Sequence, residues 1–349
     1  MKPLDKDKTL VLRVCREGGY SYDGFQWPLV VGAKVSAPDW EDTEACGNGL
    51  HGWAEGKGGI NASSYHSAPE AVWLVLEVST KSIIHLDGKC KFPKAKVVFV
   101  GAIAAAAEYM SQYVSGPIIG QVVNEDEPHG TAVAGPLGLA IASTDYASAH
   151  AGFHGMAVAG HLGVATSGDC GVSNAKDTGI SISGDGGTAA VGHGGIAVVR
   201  SDGIAVAETN GVAVVRSDGE CRVGDEGIAV GESYSRAFGE NQSVAITGFG
   251  GKSTTKKHST SVTGYKGQST AGDHSTAISG SYGKSVAGDY GTAITGHSGS
   301  ASAGVGGVII IHRDFPNPQP PVVGHIGQGD LKPNVLYQLG KKDKFEPAG

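Results

Sequence analysis

The chain has 349 residues with a net charge of -7, 57 Gly and only 8 Phe and 4 Trp, a balance that leaves no footprint for nucleic acid and argues against an anionic membrane surface. No apolar run reaches the length of a membrane span. Met1-Lys-Pro-Leu-Asp-Lys-Asp-Lys8 lacks the apolar segment of a signal peptide, and the five Cys have no paired spacing, so reduced thiols in a cytoplasm are the expectation.

Residues 1–102 read as a compact, mainly β N-terminal domain. All four Trp (Trp27, Trp40, Trp53 and Trp73) lie there, so a large aromatic core is confined to this part. Thr9–Cys15, Ala71–Val78 and Lys96–Val100 alternate like strands, with turn-rich stretches between them. Residues 103–129 form a linker and lead-in, opening with a helix predicted over Ala102–Val114 from its run of Ala, Glu and Met.

Residues 130–314 carry a repeat, and Gly155–Asp314 can be written without a gap as twenty octapeptides. Position three is Ala, Ser or Cys in all but the last, where it is Ile309, and position five is never charged. Charges fall at positions two and four, as in Glu220, Arg222, Arg236, Lys252 and Lys284. Alternation with period two is the strand signature, so three and five face inward and two and four outward. Only a narrow interior accepts Ala and Ser in nearly every rung. Position one is Gly in sixteen units and position six in twelve, which assigns to these glycines the positive φ or close backbone approach of the corners. Gly195–Asp202 recurs sixteen residues later as Gly211–Asp218, so the coil is two octapeptides: a narrow, two-walled parallel β-solenoid.

The two walls differ at their outward positions. One carries Ile228 with Val230, Val244 with Ile246, Thr260 with Val262, Thr276 with Ile278, Thr292 with Ile294, and Val308 with Ile310. Such a strip exposes on the order of 400 to 500 Å² of apolar surface, the upper end of what a soluble monomer tolerates, so a cover is expected: a homo-oligomer, dimer or trimer, joined through this wall, with the N-terminal domain or the C-terminal tail folded over it as the alternative. Residues 315–349 form a C-terminal cap. The Phe315–Pro321 stretch breaks the ladder, and Val322–Ile326 with Asn334–Leu339 read as a β hairpin.

Gly24-Phe25-Gln26-Trp27, then Cys46 followed by Gly49-Leu50-His51, then a strand holding Glu77, resembles the N-terminal domain of unknown function found in many phage and prophage proteins. Those proteins often continue into Ser/Ala/Thr/Gly octapeptide arrays and end similarly to Gly324–Tyr337. Here Gly52 follows His51, where relatives often have Ala-Cys. The resemblance implies a phage-encoded oligomeric scaffold that displays an interaction domain, in the virion or in the host cytoplasm, bound to a host or virion protein. It brings no assigned activity and no cofactor.

Two alternatives remain open at this stage. Arg13, His51 and Glu77 distantly resemble an ADP-ribosyltransferase arrangement, in which strand residues hold NAD and a Glu stabilises an oxocarbenium-like centre. An adhesin or ice-binding solenoid is the other, against which stands the Thr-x-Ile pattern, Ile and Val favouring packing over water ordering. Cys46, His51 and His66 lack metal-ligand spacing, and the Gly-Asp pairs at Asp169, Asp185, Asp273 and Asp289 are too sporadic for a calcium β-roll.

Overall fold

The computed structural model describes residues 1–21, 24–60, 63, 65–66, 68, 70–313 and 319–348. Most of the expected ladder break after the repeats, residues 314–318, lies outside the described residues. The chain falls into two compact units, one of Met1–Asp126 with Thr131–Ala142 and Ala149–Ala157, the other of Glu127–Gly130, Ser143–Ser148 and Val158–Gly349.

In the first unit, β1 (Lys8–Cys15), β2 (Lys34–Ser36), β3 (Leu50–Ala54), β4 (Val72–Ser79), β5 (Ile84–Leu86), β6 (Lys89–Phe92) and β7 (Lys94–Gly101) form one sheet in the order β2-β7-β4-β1-β3-β6-β5. Alternation along β1 sends Leu10, Leu12 and Val14 to one face, where they pack with Trp53, Trp73 and Val75. Val11 and Cys15 go to the other, with Trp27, Leu50, Leu74, Leu76 and Phe92. Both faces are buried, so β4 reads as an almost continuous apolar run.

The first face is covered by α1 (Ile103–Ser111), which buries Ala106, Ala107 and Met110. The helix stops three residues short of the predicted Val114. Its last turn runs into Ser115-Gly116-Pro117, where Gly116 takes φ 88° and the proline disfavours helix before it. Leu137 and Phe153, from the early repeats, join the same core.

The repeats fold as a β-solenoid of about 12 turns with 16 residues per turn, its strands alternating between two parallel ladders. Partners lie sixteen residues apart and in register: Ile180 opposite Ile196, Val212 opposite Ile228, Thr276 opposite Thr292. The inside–outside assignment from periodicity holds. Ala213, Ala229, Ala245, Ala277 and Ala293 are fully buried, while Ile228 and Ile246 stand 42 % and 37 % exposed.

The remaining wall residues are less bare than the sequence suggests. Val230, Val244, Val262, Ile278, Ile294, Val308 and Ile310 point outward but are half-buried. Rungs only about 4.8 Å apart press each branched side chain against the ones above and below it, which covers its flanks and leaves its tip to solvent. For Val230, Ile246 and Ile294, for example, the neighbours in the column are one another and the intervening Val262 and Ile278. The apolar surface left open is therefore smaller than a fully exposed strip, and the need for a covering partner is correspondingly weaker.

Serine is tolerated inside because facing walls bond to each other. Ser253 Oγ lies 2.6 Å from Ser261 Oγ, and Ser269 Oγ donates to the Ser261 carbonyl at 2.7 Å. These are residues eight apart, on opposite walls, so the interior is one small side chain deep from each side. Three inward hydroxyls, Thr247, Thr255 and Thr263 Oγ1, have no partner among the described residues. Replacing Thr255 or Thr263 with Val removes a buried polar atom at nearly constant shape and is expected to stabilise the protein by about 1 kcal/mol each, read as a higher urea midpoint.

The corners depart from the expectation. The left-handed residue is position eight, with φ 52–57° at Tyr234, His258, His274, Tyr282 and Tyr290. The recurrent glycines serve the other purpose, close approach. A Cβ at Gly264 would lie 2.9 Å from the Gly248 carbonyl carbon, and one at Gly227 2.6 Å from Val223 Cβ. Aspartates finish the corners. Asp177 Oδ1 accepts the His193 N–H at 2.9 Å, and Asp289 Oδ1 the Val305 N–H at 2.8 Å. The Asp273 carboxyl is held below the ordinary range by the Asp289 N–H and by Lys257. Of the Gly-Asp pairs, Asp169, Asp273 and Asp289 are thus backbone caps between successive coils, while Asp185 pairs with Arg200.

Val322–His325 and Tyr337–Leu339 do not pair with each other. The first runs antiparallel to Val308–Ile311 at the end of one ladder. The second meets Ser300–Ser302 at the end of the other and forms the C-terminal hairpin with Phe345–Pro347.

Candidate functional site

Two surfaces carry function-bearing residues, a cleft in the first unit and a wall in the second. The cleft lies where two strands part. β3 pairs with β1 over only Val11–Ala54 and Leu12–Trp53, then pairs with β6 from Leu50 to Gly52. Beyond Leu12 the edge of β1 is open, and the Arg13 side chain fills the gap, donating from Nη1 to the His51 carbonyl at 3.2 Å. Its guanidinium lies over the Trp27 ring, 5.3 Å from the centroid.

The resemblance motifs converge here. Arg13, Phe25, Trp27, Gly49, Leu50, His51 and Gly52 line a cavity of about 340 Å³ with Asp39, Tyr65 and Lys89. Gly24 takes φ 80° with open space around it, whereas Gly49 and Gly52 have a steric reason. A Cβ at Gly49 would lie 3.0 Å from the Trp40 ring, and one at Gly52 2.5 Å from Val11 Cγ1 and 2.6 Å from the Leu12 carbonyl. Position 52 therefore has no room for the larger residue found in the resembled proteins. Gln26 donates to the Gly18 carbonyl at 3.2 Å, and Cys46 is exposed in the loop before β3. That loop is tied down by Lys91, fully buried on β6, which donates to Ala45 O at 2.9 Å and Thr43 Oγ1 at 3.2 Å. Periodicity gave no hint of a buried lysine.

Glu77 is not part of the cleft. It alternates onto the same face of β4 as Trp73 and Val75, which pack on the helix side, whereas Arg13 shares its face with Val11 and Cys15 on the other side of the sheet. Its carboxylate lies 3.9 Å from Lys8. The sheet itself thus separates Arg13 from the carboxylate that an ADP-ribosyltransferase arrangement requires. Burial pushes the thiols of Cys90 and Cys221 up to about 11 and about 12, so neither serves as a nucleophile near neutrality. Among the described residues no cluster of three or more His, Cys, Asp and Glu is placed to hold a metal.

His51 is pushed down to about 4, first by desolvation and then by Lys89 and Arg13. The folded value lies below the ordinary 6.5, so the unfolded chain takes up the proton first. This contribution to stability is complete above about pH 6.5 and is lost as pH falls toward 4. All four Trp belong to this unit, so tryptophan fluorescence isolates its melting. His51→Gln is expected to flatten the acid side of that profile.

The wall is a different kind of surface. From Val164–Ser167 to Val308–Ile311, the first two outward positions of each strand of one ladder hold Val, Ile or Thr, with Arg200 and Arg216 exposed further along Ile196–Ser201 and Val212–Ser217. Val164 and Thr166, Ile180 and Ile182, Ile196 and Val198, and Val212 and Val214 precede the pairs from Ile228 with Val230 to Val308 with Ile310 that were read from the sequence. The β-branched strip therefore begins four rungs earlier than that reading. In-register strands fix a grid of about 4.8 Å between rungs and about 6.7 Å between outward residues of one strand. β-Branched side chains are stiff at χ1, which repeats their methyl and hydroxyl positions from rung to rung. The opposite ladder carries Arg236, Lys252, Gln268 and Lys284 at the equivalent sites.

Stacked rings line the corners. His258, His274 and Tyr290 stack at 5.2 and 5.1 Å with planes 9° apart. Tyr234, Phe249, Tyr265, Tyr282 and His297 form a second row at 5.3–5.6 Å. The first row stacks the ring faces of position eight, whereas the second mixes positions seven and eight, with Phe249 and Tyr265 stacked and the other contacts edge-on.

Residues 9–110 match a family model described as a domain of unknown function, DUF7666. Relatives include an ice nucleation protein of Pseudomonas syringae pv. syringae, 35 % identical over 116 residues, which is 33 % of this chain and 9 % of that protein. Ice nucleation protein InaU of Pantoea ananas is 33 % identical over 109 residues, 31 % of this chain and 10 % of that protein. One from Xanthomonas campestris pv. translucens is 34 % identical over 107 residues, 30 % and 7 %. The matched part of the chain spans about a tenth or less of the length of these relatives. No solved structure matches. These relatives overturn the reading of a phage-encoded scaffold and favour its ice-binding alternative, while the N-terminal match supplies a domain without an assigned activity.

Proposed function

We propose that the solenoid binds ice through its Val/Ile/Thr wall. The observation that carries this is the unbroken two-column array of β-branched residues, in register at every rung, on a protein whose relatives are named ice nucleation proteins. Water over such a wall meets identical methyl groups at a fixed two-dimensional spacing. Methyl groups offer no hydrogen bond to compete for water, so the water over them bonds to itself. The hydroxyls of Thr260, Thr276 and Thr292, stacked in one column, anchor that layer at regular intervals. Ile and Val, which argue for dry packing when read alone, here supply the order and leave the anchoring to Thr.

The chain is short beside relatives about three to four times longer, and a small template stabilises only a small ice embryo. Slowed growth and recrystallisation of existing ice is therefore the expected activity, with little rise in freezing temperature. Following ice grains in a frozen sucrose film tests this. Grains that coarsen at the rate of a control protein would reject it.

Self-association through the same wall is the second reading, supported by Ile228 and Ile246 standing exposed on it. Val230 and Ile294, half-buried within their own columns, have less surface to offer a second copy. A wall occupied by that copy is not free for ice. Light scattering across a dilution series separates the two, since a mass that is constant and monomeric leaves the wall to water.

A further inference from the structure

The cleft between β1 and β3 has no part in a water-ordering wall, yet it gathers the buried polar atoms that the first unit leaves without a partner among the described residues: Arg13 Nε, His51 Nε2 and Tyr65 Oη. An unsatisfied buried donor or acceptor costs about 1–3 kcal/mol, and folded proteins hold few of them. Three around one cavity mark a place where folding has conceded stability. The cavity, about 340 Å³, is of ligand size.

Its chemistry narrows the ligand. Among the described residues of the lining, Arg13 and Lys89 are accompanied by one carboxylate, Asp39, so the lining favours an anion. The guanidinium is already oriented by the Trp27 ring and the His51 carbonyl, so little side-chain freedom is lost when it receives an oxyanion. Phe25, Trp27 and Tyr65 supply apolar faces beside it. His51 is uncharged near neutrality and adds a hydrogen bond without adding charge.

We propose that this cleft binds a small organic anion with a flat aromatic body, its carboxylate or phosphate received by Arg13 and Lys89 and its ring set among Phe25, Trp27 and Tyr65. A polar substituent on the ring meets His51 Nε2 and Tyr65 Oη. The site does not depend on the wall, and occupancy of one leaves the other unchanged.

Calorimetric titration of the full chain tests it with two anions, indole-3-acetate and adenosine monophosphate, and their uncharged counterparts, indole and adenosine. At least one anion is expected to bind, about tenfold or more tightly than its counterpart. The anion that binds identifies the oxyanion as carboxylate or phosphate. Arg13→Lys keeps the charge but loses the planar fork, and Lys89→Gln removes a partly exposed charge. Each is expected to weaken binding about tenfold with the tryptophan-monitored melt unchanged. If Arg13→Lys fails to fold, Lys89→Gln decides. Absence of binding by both anions at millimolar concentration, equal binding of the uncharged counterparts, or full affinity in the folded variants overturns the proposal.

Discussion

Aspartate at Ala229 is expected to unfold the coils on either side of it, whereas aspartate at Ile228, one residue earlier, leaves them standing. Ala229 is fully buried between Ala213 and Ala245, its register neighbours, and Ile228 is 42 % exposed. Burying a carboxylate with no partner costs about 4 kcal/mol, a large fraction of the stability of an ordinary domain. The one-side-chain depth of the interior leaves no room for the carboxylate to reach water. Each coil draws its stability from its neighbours, so the loss spreads along the ladder. At Ile228 the charge stays in solvent and the cost is expected to be under about 1 kcal/mol. Urea unfolding of the two variants, followed by far-ultraviolet circular dichroism, makes the comparison. A larger loss at Ile228 than at Ala229 would show that the wall's branched side chains, not its alanines, are the core.

Lysine at Val262 and Ile278 together is expected to abolish slowing of ice growth while the fold persists. Both positions are half-buried on the outer face, in adjacent rungs of the same column. An ammonium group keeps a tightly held, disordered water shell, and its long stem stands above the neighbouring methyl groups. Two such groups interrupt the grid at the seventh and eighth of its ten rungs. Lys252→Thr with Lys284→Thr on the opposite ladder is the matched control, expected to leave activity at the unsubstituted level. Recrystallisation assays on both pairs, with melting curves alongside, carry the test. Persistent activity in the Val262/Ile278 pair, or its loss in the control, would move the ice-binding face elsewhere.

The sequence made some of this legible because a repeat shows each position many times. Position three betrays a narrow interior, since Ala and Ser at one place could be chance but recur in rung after rung. The corner was left between two readings, positive φ and close approach, for a related reason. Position eight holds Asp, Tyr, His, Lys and Cys, a variety that resembles free decoration, and its common left-handed backbone is invisible without coordinates. Glycine at positions one and six suggested that conformation, but steric crowding accounts for it equally well. Alternation likewise tells which way Val230 and Ile294 point, but not how far their column neighbours cover them.

In the first unit nothing repeats. Alternation identified β1, β4 and β7, yet it could not place Arg13 and Glu77 on opposite faces without the register Val11–Leu76. Nor could it show that β3, only five residues long, would leave β1 after two pairs and open the cleft.

The two closing strands have a consequence for assembly in the other direction, along the stack. A parallel ladder ends in a row of unpaired backbone groups that would seat another molecule's first coil as readily as its own next one. Val322–His325 and Tyr337–Leu339 reverse the polarity at that terminus, and a backward-running edge is a poor seat for a parallel newcomer. Fibre growth is thereby blocked without touching the flank. The molecule's working area is set by how many sixteen-residue units the gene holds, and tandem duplication enlarges it while the same terminal piece still fits.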